Sequence, residues 1–312
     1  MLKIFELFVC KISAIRESLS SGQLVCAVLD YRIFWCVFFV GFVFTMARLS
    51  FLTAEEVATN SAKLPIGIQV VRSVELPAST SDWHYSNRSV SRLGDAQPLE
   101  QSKTEVVRYW IYLPHDYEKQ EKLNGSPLLL FLHGVGERGN TPEEIDKVKV
   151  HGPPNLLDKP EFNKAFPCVT VSPQCKHNYK WSPFQLLLLL DHIEQNYKID
   201  KSRIYITGIS MGGYGTWMCL NASPERFAAA APICGGANPE WAKKLIEIPI
   251  WNFHGDNDKA VPFVMSQRIV DAIRKANGKK IIFTSYEGGG HDVWTQTYNN
   301  QLLFDWLFSQ SR

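Results

Sequence analysis

The sequence predicts an α/β fold: a mostly parallel, doubly wound sheet with helices on both faces. Three observations predict it. Strand-like apolar runs alternate with helix-length stretches from residue 105 to residue 312, the pattern of parallel strands joined by crossover helices. Pro127–Leu132 is apolar without interruption, as a central parallel strand covered on both faces must be. Two of the strands empty directly into glycine-rich turns, His133-Gly134-Val135-Gly136 and Gly208-Ile209-Ser210-Met211-Gly212, and ligands in such sheets bind beyond the carboxyl ends of the strands.

The elements follow in order. Val106–Pro114 has the β-branched and aromatic content of a strand, and Pro127–Leu132 is the next. Further strands are expected at Cys168–Ser172, Arg203–Thr207, Ala228–Ile233, Ile250–Phe253 and Lys280–Tyr286. Helices are expected at Phe184–Tyr197, Met211–Asn221, Pro239–Ile246 and Phe263–Ala276, with a final helix at Trp294–Ser309. The connection from Ile233 to Ile250 is short, so no large cap domain fits there.

The N-terminal third is different. Residues 33–46 are uncharged and strongly apolar, a length that suits the core of an export signal better than a membrane span. Residues 1–48 therefore read as a signal peptide or, alternatively, an uncleaved N-terminal membrane anchor, which places the protein outside the cytoplasm or on a membrane through residues 33–46. Residues 49–104, rich in Ser, Thr, Asn, Pro and Gln, read as a polar linker with edge strands. Residues 105–312 form the remaining domain.

Composition excludes some classes. Charged residues make up 21% of the 312 residues and the formal charge is +2, with no dense basic stripe, which argues against a nucleic-acid partner. The seven cysteines form no metal-ligand pattern. Cys168 and Cys175 flank a strand, and fully extended chain would hold them about 20 Å apart, too far for a disulfide. Buried free thiols are the expected state.

The stretch around Ser210 matches a G-x-S-x-G pattern. It either places the serine on a sharp strand-to-helix turn with its hydroxyl exposed, small residues at 208 and 212 letting backbone pass close by, or is an ordinary turn whose serine caps a helix. Acyl transfer by a serine needs a base, an acid to orient it, and donors for the oxyanion. His291, in Gly288-Gly289-Gly290-His291 after the last expected strand, is the candidate base. His133 and His254 each precede a glycine at a strand end and read as structural hydrogen-bonding groups. The candidate acid lies in His254-Gly255-Asp256-Asn257-Asp258-Lys259-Ala260-Val261-Pro262, with Asp256 suited to a turn. Backbone N–H groups of Met211 and Val135, with Gly136 next, are the candidate oxyanion donors. No His/Asp/Glu cluster has metal-ligand spacing, so no metal or cofactor is expected.

Residues 105–312 resemble the α/β-hydrolase superfamily. The resemblance rests on residues 133–139, Pro173-Gln174-Cys175, residues 208–217, Pro232-Ile233-Cys234-Gly235-Gly236, and the two loops with Asp258 and His291. It is closest to exported bacterial serine esterases and peptidases related to dienelactone hydrolase, polyhydroxybutyrate depolymerase and the catalytic domain of prolyl oligopeptidase. It implies the α/β-hydrolase fold, with Ser210 as nucleophile, Asp258 as acid and His291 as base, in the chain order that this superfamily uses. The implied activity is hydrolysis of an accessible carboxylic ester on a small molecule, a polysaccharide or a polyester, with no cofactor. A peptidase of the same chemistry is the alternative, and a catalytically silent, surface-tethered binding protein is the alternative from another class. Gly136, Gln174, Trp181 and Trp294 are candidates for the substrate pocket. Glu137 and Arg138 read as an ion pair holding their loop.

Overall fold

Among the described residues, eight strands lie in one sheet in the order β1-β2-β4-β3-β5-β6-β7-β8. A computed structural model describes residues 64–78 and 104–312. The apolar run 33–46, Cys10, Cys26 and Cys36, and most of the stretch that reads as a linker lie outside the described residues. The strands are β1 Gln69–Pro77, β2 Thr104–Tyr112, β3 Ser126–Leu132, β4 Val169–Pro173, β5 Ile199–Ile209, β6 Ala229–Ile233, β7 Ile250–Gly255 and β8 Ile281–Tyr286. From β4 through β3 to β8 all pairings are parallel, whereas β1 with β2 and β2 with β4 pair antiparallel.

Alternation along β3 shows why its sequence is apolar throughout. Leu128, Leu130 and Leu132 enter one core with Leu189, Leu190 and Ile193 of α1 (Pro183–Asn196), Trp217 and Leu220 of α2 (Met211–Ala222), and Ile269 and Ile273 of α3 (Val264–Lys275). Leu129 and Phe131 enter the other, with Tyr298 of α4 (Trp294–Tyr298) and with Leu303, Phe304 and Leu307 of α5 (Gln301–Phe308). A strand has side-chain period 2, so one buried on both faces has no solvent side to mark. Helices thus cover both faces.

β1 lies in the stretch that reads as a linker with edge strands, and it forms the outermost strand, running from Gln69 opposite Tyr112 to Pro77 opposite Thr104. Two features differ from the sequence reading, the final helix and the chain between β3 and β4. The final helix is two helices, because the Asn300 side chain accepts a hydrogen bond from Leu302 N–H at 3.1 Å and starts a new one. Between β3 and β4 the chain makes a 3₁₀ stretch, Pro142–Val150, and two short helices, Gly152–Leu156 and Pro160–Asn163, which lack a sustained periodicity. From β6 to β7 there are only a 3₁₀ turn, Pro239–Trp241, and the helix Ala242–Leu245.

Candidate active site

β5 is central, flanked by β3 and β6, and at its carboxyl end the chain reverses into α2 within one residue. Ser210 is that residue, with φ 52° and ψ −114°, a conformation that L side chains adopt only where the surroundings enforce it. The enforcing contacts are glycines. A Cβ on Gly212 would stand 1.9 Å from Leu132 O, one on Gly213 would stand 2.4 Å from Ile233 O, and one on Gly208 would stand 2.4 Å from Gly212 O. Helix α2 can therefore start hard against β3 and β6 only without side chains at these positions. Ser210 makes no side-chain cap to α2, so its hydroxyl is left for other partners.

The partner is His291, delivered by the loop after β8. Its Nε2 lies 2.9 Å from Ser210 Oγ and its Nδ1 lies 2.6 Å from Asp258 Oδ2. A carboxylate only accepts, so Nδ1 carries the proton and Nε2 is the acceptor for the serine hydroxyl. Asp258 is anchored on both oxygens: Oδ1 accepts from Ala260 N–H at 2.8 Å and Val261 N–H at 2.9 Å. Burial pushes its carboxyl pKa up, but hydrogen bonds from His291, Val261 and Ala260 outweigh burial and hold it below the usual value. Asp258 is thus an anion aimed at the imidazole. Asp256 accepts from Gly288 N–H at 2.8 Å, which ties the loop of Asp258 to the loop of His291.

The loop after β3 supplies the opposite wall. Val135 begins a 3₁₀ turn, Val135–Glu137, and Met211 begins α2, so both backbone N–H groups lie at helical N-termini, where no intrahelical acceptor exists. His133 holds this loop from beneath. It is fully buried; its Nδ1 donates to Gly134 O at 2.6 Å and its Nε2 accepts from Cys175 N–H at 3.0 Å. Burial pushes its pKa down to about 4, so the ring is neutral and both nitrogens are used.

Comparison with known proteins finds similarity to esterases. A family model described as Phospholipase/Carboxylesterase matches residues 166–302. A solved thermostable esterase is 34% identical, with a TM-score of 0.59 over 67% of this chain and 60% of that one. The chain has the α/β-hydrolase fold. A bifunctional acetylxylan esterase/xylanase of Neocallimastix patriciarum is 30% identical over 155 residues, which is 48% of this chain and 22% of the relative. A poly(3-hydroxyalkanoate) depolymerase C of Paucimonas lemoignei is 44% identical over 48 residues, 15% of this chain and 12% of the relative. The chain thus spans less than a quarter of the length of these two relatives. A solved ferulic acid esterase, 18% identical with a TM-score of 0.50 over 77% of this chain and 98% of that one, shares the fold.

The pocket candidates separate. Trp294 packs edge-on against His291, ring centroids 5.1 Å apart, and Gly136 faces open space, with no atom within 4 Å of where a Cβ would stand. Trp181 and Gln174 do not face the site. Trp181 is 5% exposed, and its Nε1 donates to His133 O at 3.1 Å. Gln174 is 7% exposed, and its Nε2 donates to Glu137 O at 3.0 Å and Glu144 O at 2.6 Å. Both fasten the loop after β3 rather than lining a cleft. Glu137 and Arg138 do not pair with each other: Arg138 Nε donates to Val135 O at 3.0 Å and its Nη1 to Tyr179 O at 3.2 Å, while the Glu137 carboxylate turns toward His133 and His151.

One contact has no mark in the sequence. His254, fully buried, sets Nε2 2.9 Å from Val261 O and 3.2 Å from Asp258 Oδ2, and Nδ1 2.7 Å from Ser266 Oγ. It is legible as a structural histidine but not as a neighbour of the acid, because nothing local says which way the ring turns. Cys234, His254 and Asp258 have ligand atoms within 4.8 Å of one another, the donor set of a metal site among the described residues. Their chemistry fits a metal poorly. Burial pushes the Cys234 thiol up to about 12, which keeps it protonated, and both oxygens of Asp258 already accept hydrogen bonds. The four cysteines among the described residues are free and buried.

Proposed function

We propose that this protein hydrolyses carboxylic esters through an acyl-Ser210 intermediate, with Asp258 as the acid and His291 as the base. The observation that carries the reading is His291 bridging Ser210 Oγ at 2.9 Å and Asp258 Oδ2 at 2.6 Å. Ser210 Oγ attacks the ester carbonyl carbon while His291 Nε2 takes its proton, and Asp258 stabilises the imidazolium so formed. The carbonyl oxygen becomes an oxyanion held by the N–H groups of Met211 and Val135, each worth about 3 kcal/mol. Collapse breaks the bond to the alcohol oxygen, which leaves with the proton from Nε2. Water then attacks the acyl carbon, giving a proton to Nε2; collapse breaks the bond to Ser210 Oγ, which takes that proton back from Nε2 as the carboxylic acid leaves.

The match to a Phospholipase/Carboxylesterase model and the likeness to a thermostable esterase support an ester substrate. The short passage from β6 to β7 supports an open cleft suited to an accessible ester, including one borne on a polymer. The test is turnover of p-nitrophenyl acetate by the protein and by Ser210→Ala. Loss of hydrolysis by roughly 10⁶-fold in the variant is expected; undiminished turnover, or prolyl amides cleaved faster than esters, overturns the reading.

Export also belongs to this proposal. The uncharged apolar run 33–46 supports an export signal or anchor; among the described residues no helix is long and apolar enough to cross a membrane. Recovery of the expressed protein in the cytoplasmic fraction with an intact N-terminus would overturn export.

A further inference from the structure

Glu137, His151 and Trp294 form an arc from the loop after β3 to His291, and the acyl-transfer chemistry uses none of them. Glu137 is 8% exposed, yet its Oε2 is buried with no hydrogen-bond partner. His133 Nδ1 lies 3.9 Å from Oε2 and His151 Nε2 lies 3.8 Å from Oε1, both beyond hydrogen-bond reach. His133 cannot serve as a counter-ion, because it is neutral and its Nδ1 proton goes to Gly134 O. The His151 ring meets Trp294 at 5.5 Å, and Trp294 meets His291 at 5.1 Å. Trp294 Nε1 is itself buried with no acceptor.

A buried acceptor and a buried donor left unmatched each keep an uncompensated desolvation cost. Here both stand beside His151, and Trp294 also stands next to His291. We propose that Glu137, His151 and Trp294 form the subsite for the alcohol half of the ester, and that this half is a saccharide or similar polyol. The inference rests on the esterase reading of Ser210 and His291. During collapse His291 Nε2 protonates the departing oxygen, so the alcohol half lies on the His291 flank, where Trp294 stands. Hydroxyl groups both donate and accept, so they satisfy the Glu137 carboxylate and the Trp294 N–H together. An ammonium group only donates and leaves Trp294 Nε1 unmatched; an alkyl chain leaves both unmatched. The indole beside His291 also offers an apolar surface to sugar C–H groups, with its polar N–H at one edge.

The test compares kcat/KM for an acetylated methyl pentoside with that for p-nitrophenyl acetate, in the protein, Glu137→Gln and Trp294→Phe. The pentoside-to-nitrophenyl ratio is expected to fall about tenfold or more in each variant. Thermal melts identify a variant that fails to fold, in which case the other carries the test. An unchanged ratio in the folded variants overturns the subsite, as does faster cleavage of butyl acetate than of the pentoside ester by the unmodified protein. If amino-acid esters with a free amine are preferred and Glu137→Gln abolishes that preference, the occupant is an ammonium and the polyol assignment is overturned. Failure of the esterase reading looks different, since neither acetate would then be cleaved. In that event saturable quenching of tryptophan fluorescence by the unesterified methyl pentoside, lost in Glu137→Gln, still supports the subsite, and its absence sinks it.

Discussion

His254 Nε2 lies 3.2 Å from Asp258 Oδ2, the oxygen that also receives His291. The acid of the proposed triad therefore has two imidazoles on one oxygen, and the second is fixed by Ser266 and Val261. His254 positions Asp258. His254→Phe keeps the ring volume but strips Val261 O, Ser266 Oγ and Asp258 of a buried partner. It should destabilise the protein by about 1–3 kcal/mol and lower kcat roughly 10- to 100-fold with KM little changed. Steady-state kinetics with a thermal melt separates the two effects, and an unaltered kcat would show that Asp258 needs no help from this side.

Two glycines in the site loops should respond in opposite ways to the same methyl group. At Gly212 the added Cβ would stand 1.9 Å from a backbone oxygen, whereas at Gly136 it meets nothing within 4 Å. Gly212→Ala is expected to cost more than about 4 kcal/mol, enough to prevent accumulation of folded protein, and Gly136→Ala to lie within about 0.5 kcal/mol of the parent. Urea unfolding of both variants checks the contrast.

Stability should fall as the pH is lowered from about 6.5 to about 4, in part because of His133. In the unfolded chain this imidazole takes a proton below its ordinary value near 6.5. The folded protein refuses it until about 4, because the ring is buried. The unfolded state thus binds more protons in that window, and the expected loss is about 3 kcal/mol across it. Urea midpoints measured through this range should show a shallower slope in His133→Gln than in the parent.

Gln174 carries two carbonyls of the loop after β3, those of Glu137 and Glu144. Gln174→Ala leaves both without their donor and opens the space beside Gly139, where a Cβ would stand 2.6 Å from the glutamine nitrogen. A cost of about 1–3 kcal/mol is expected, with faster amide exchange confined to residues 133–145. Uniform exchange throughout the sheet would show instead that the loop is held by other means.

How far the sequence carries depends on the kind of feature. Ser210, Asp258 and His291 are legible because each follows a strand end, where glycines mark sharp turns, and chain order then limits which loops can meet. Gly208 and Gly212 are legible for the same reason, since close approach leaves glycine no substitute. Orientation is not legible. Trp181, Gln174 and Trp294 all sit near strand ends, yet only Trp294 faces the base, because the direction of a side chain is decided by tertiary packing. β1 reads as part of a linker with edge strands because an edge strand faces solvent and carries polar residues, such as Arg72, Ser73 and Glu75, like the Ser/Thr-rich chain around it. His151 has no local mark, since it follows a 3₁₀ stretch without sustained periodicity and reaches Glu137 only through the fold.

Ser210 and His291 stand on unequal ground. Ser210 follows β5, which is hydrogen-bonded to strands on both sides, while His291 follows β8, which among the described strands is hydrogen-bonded to β7 alone. Fraying of that margin would carry the imidazole away from a serine that is still in place. In rising denaturant, turnover should therefore vanish ahead of the global transition, and the first residue to lose its register would be the one that moves the proton.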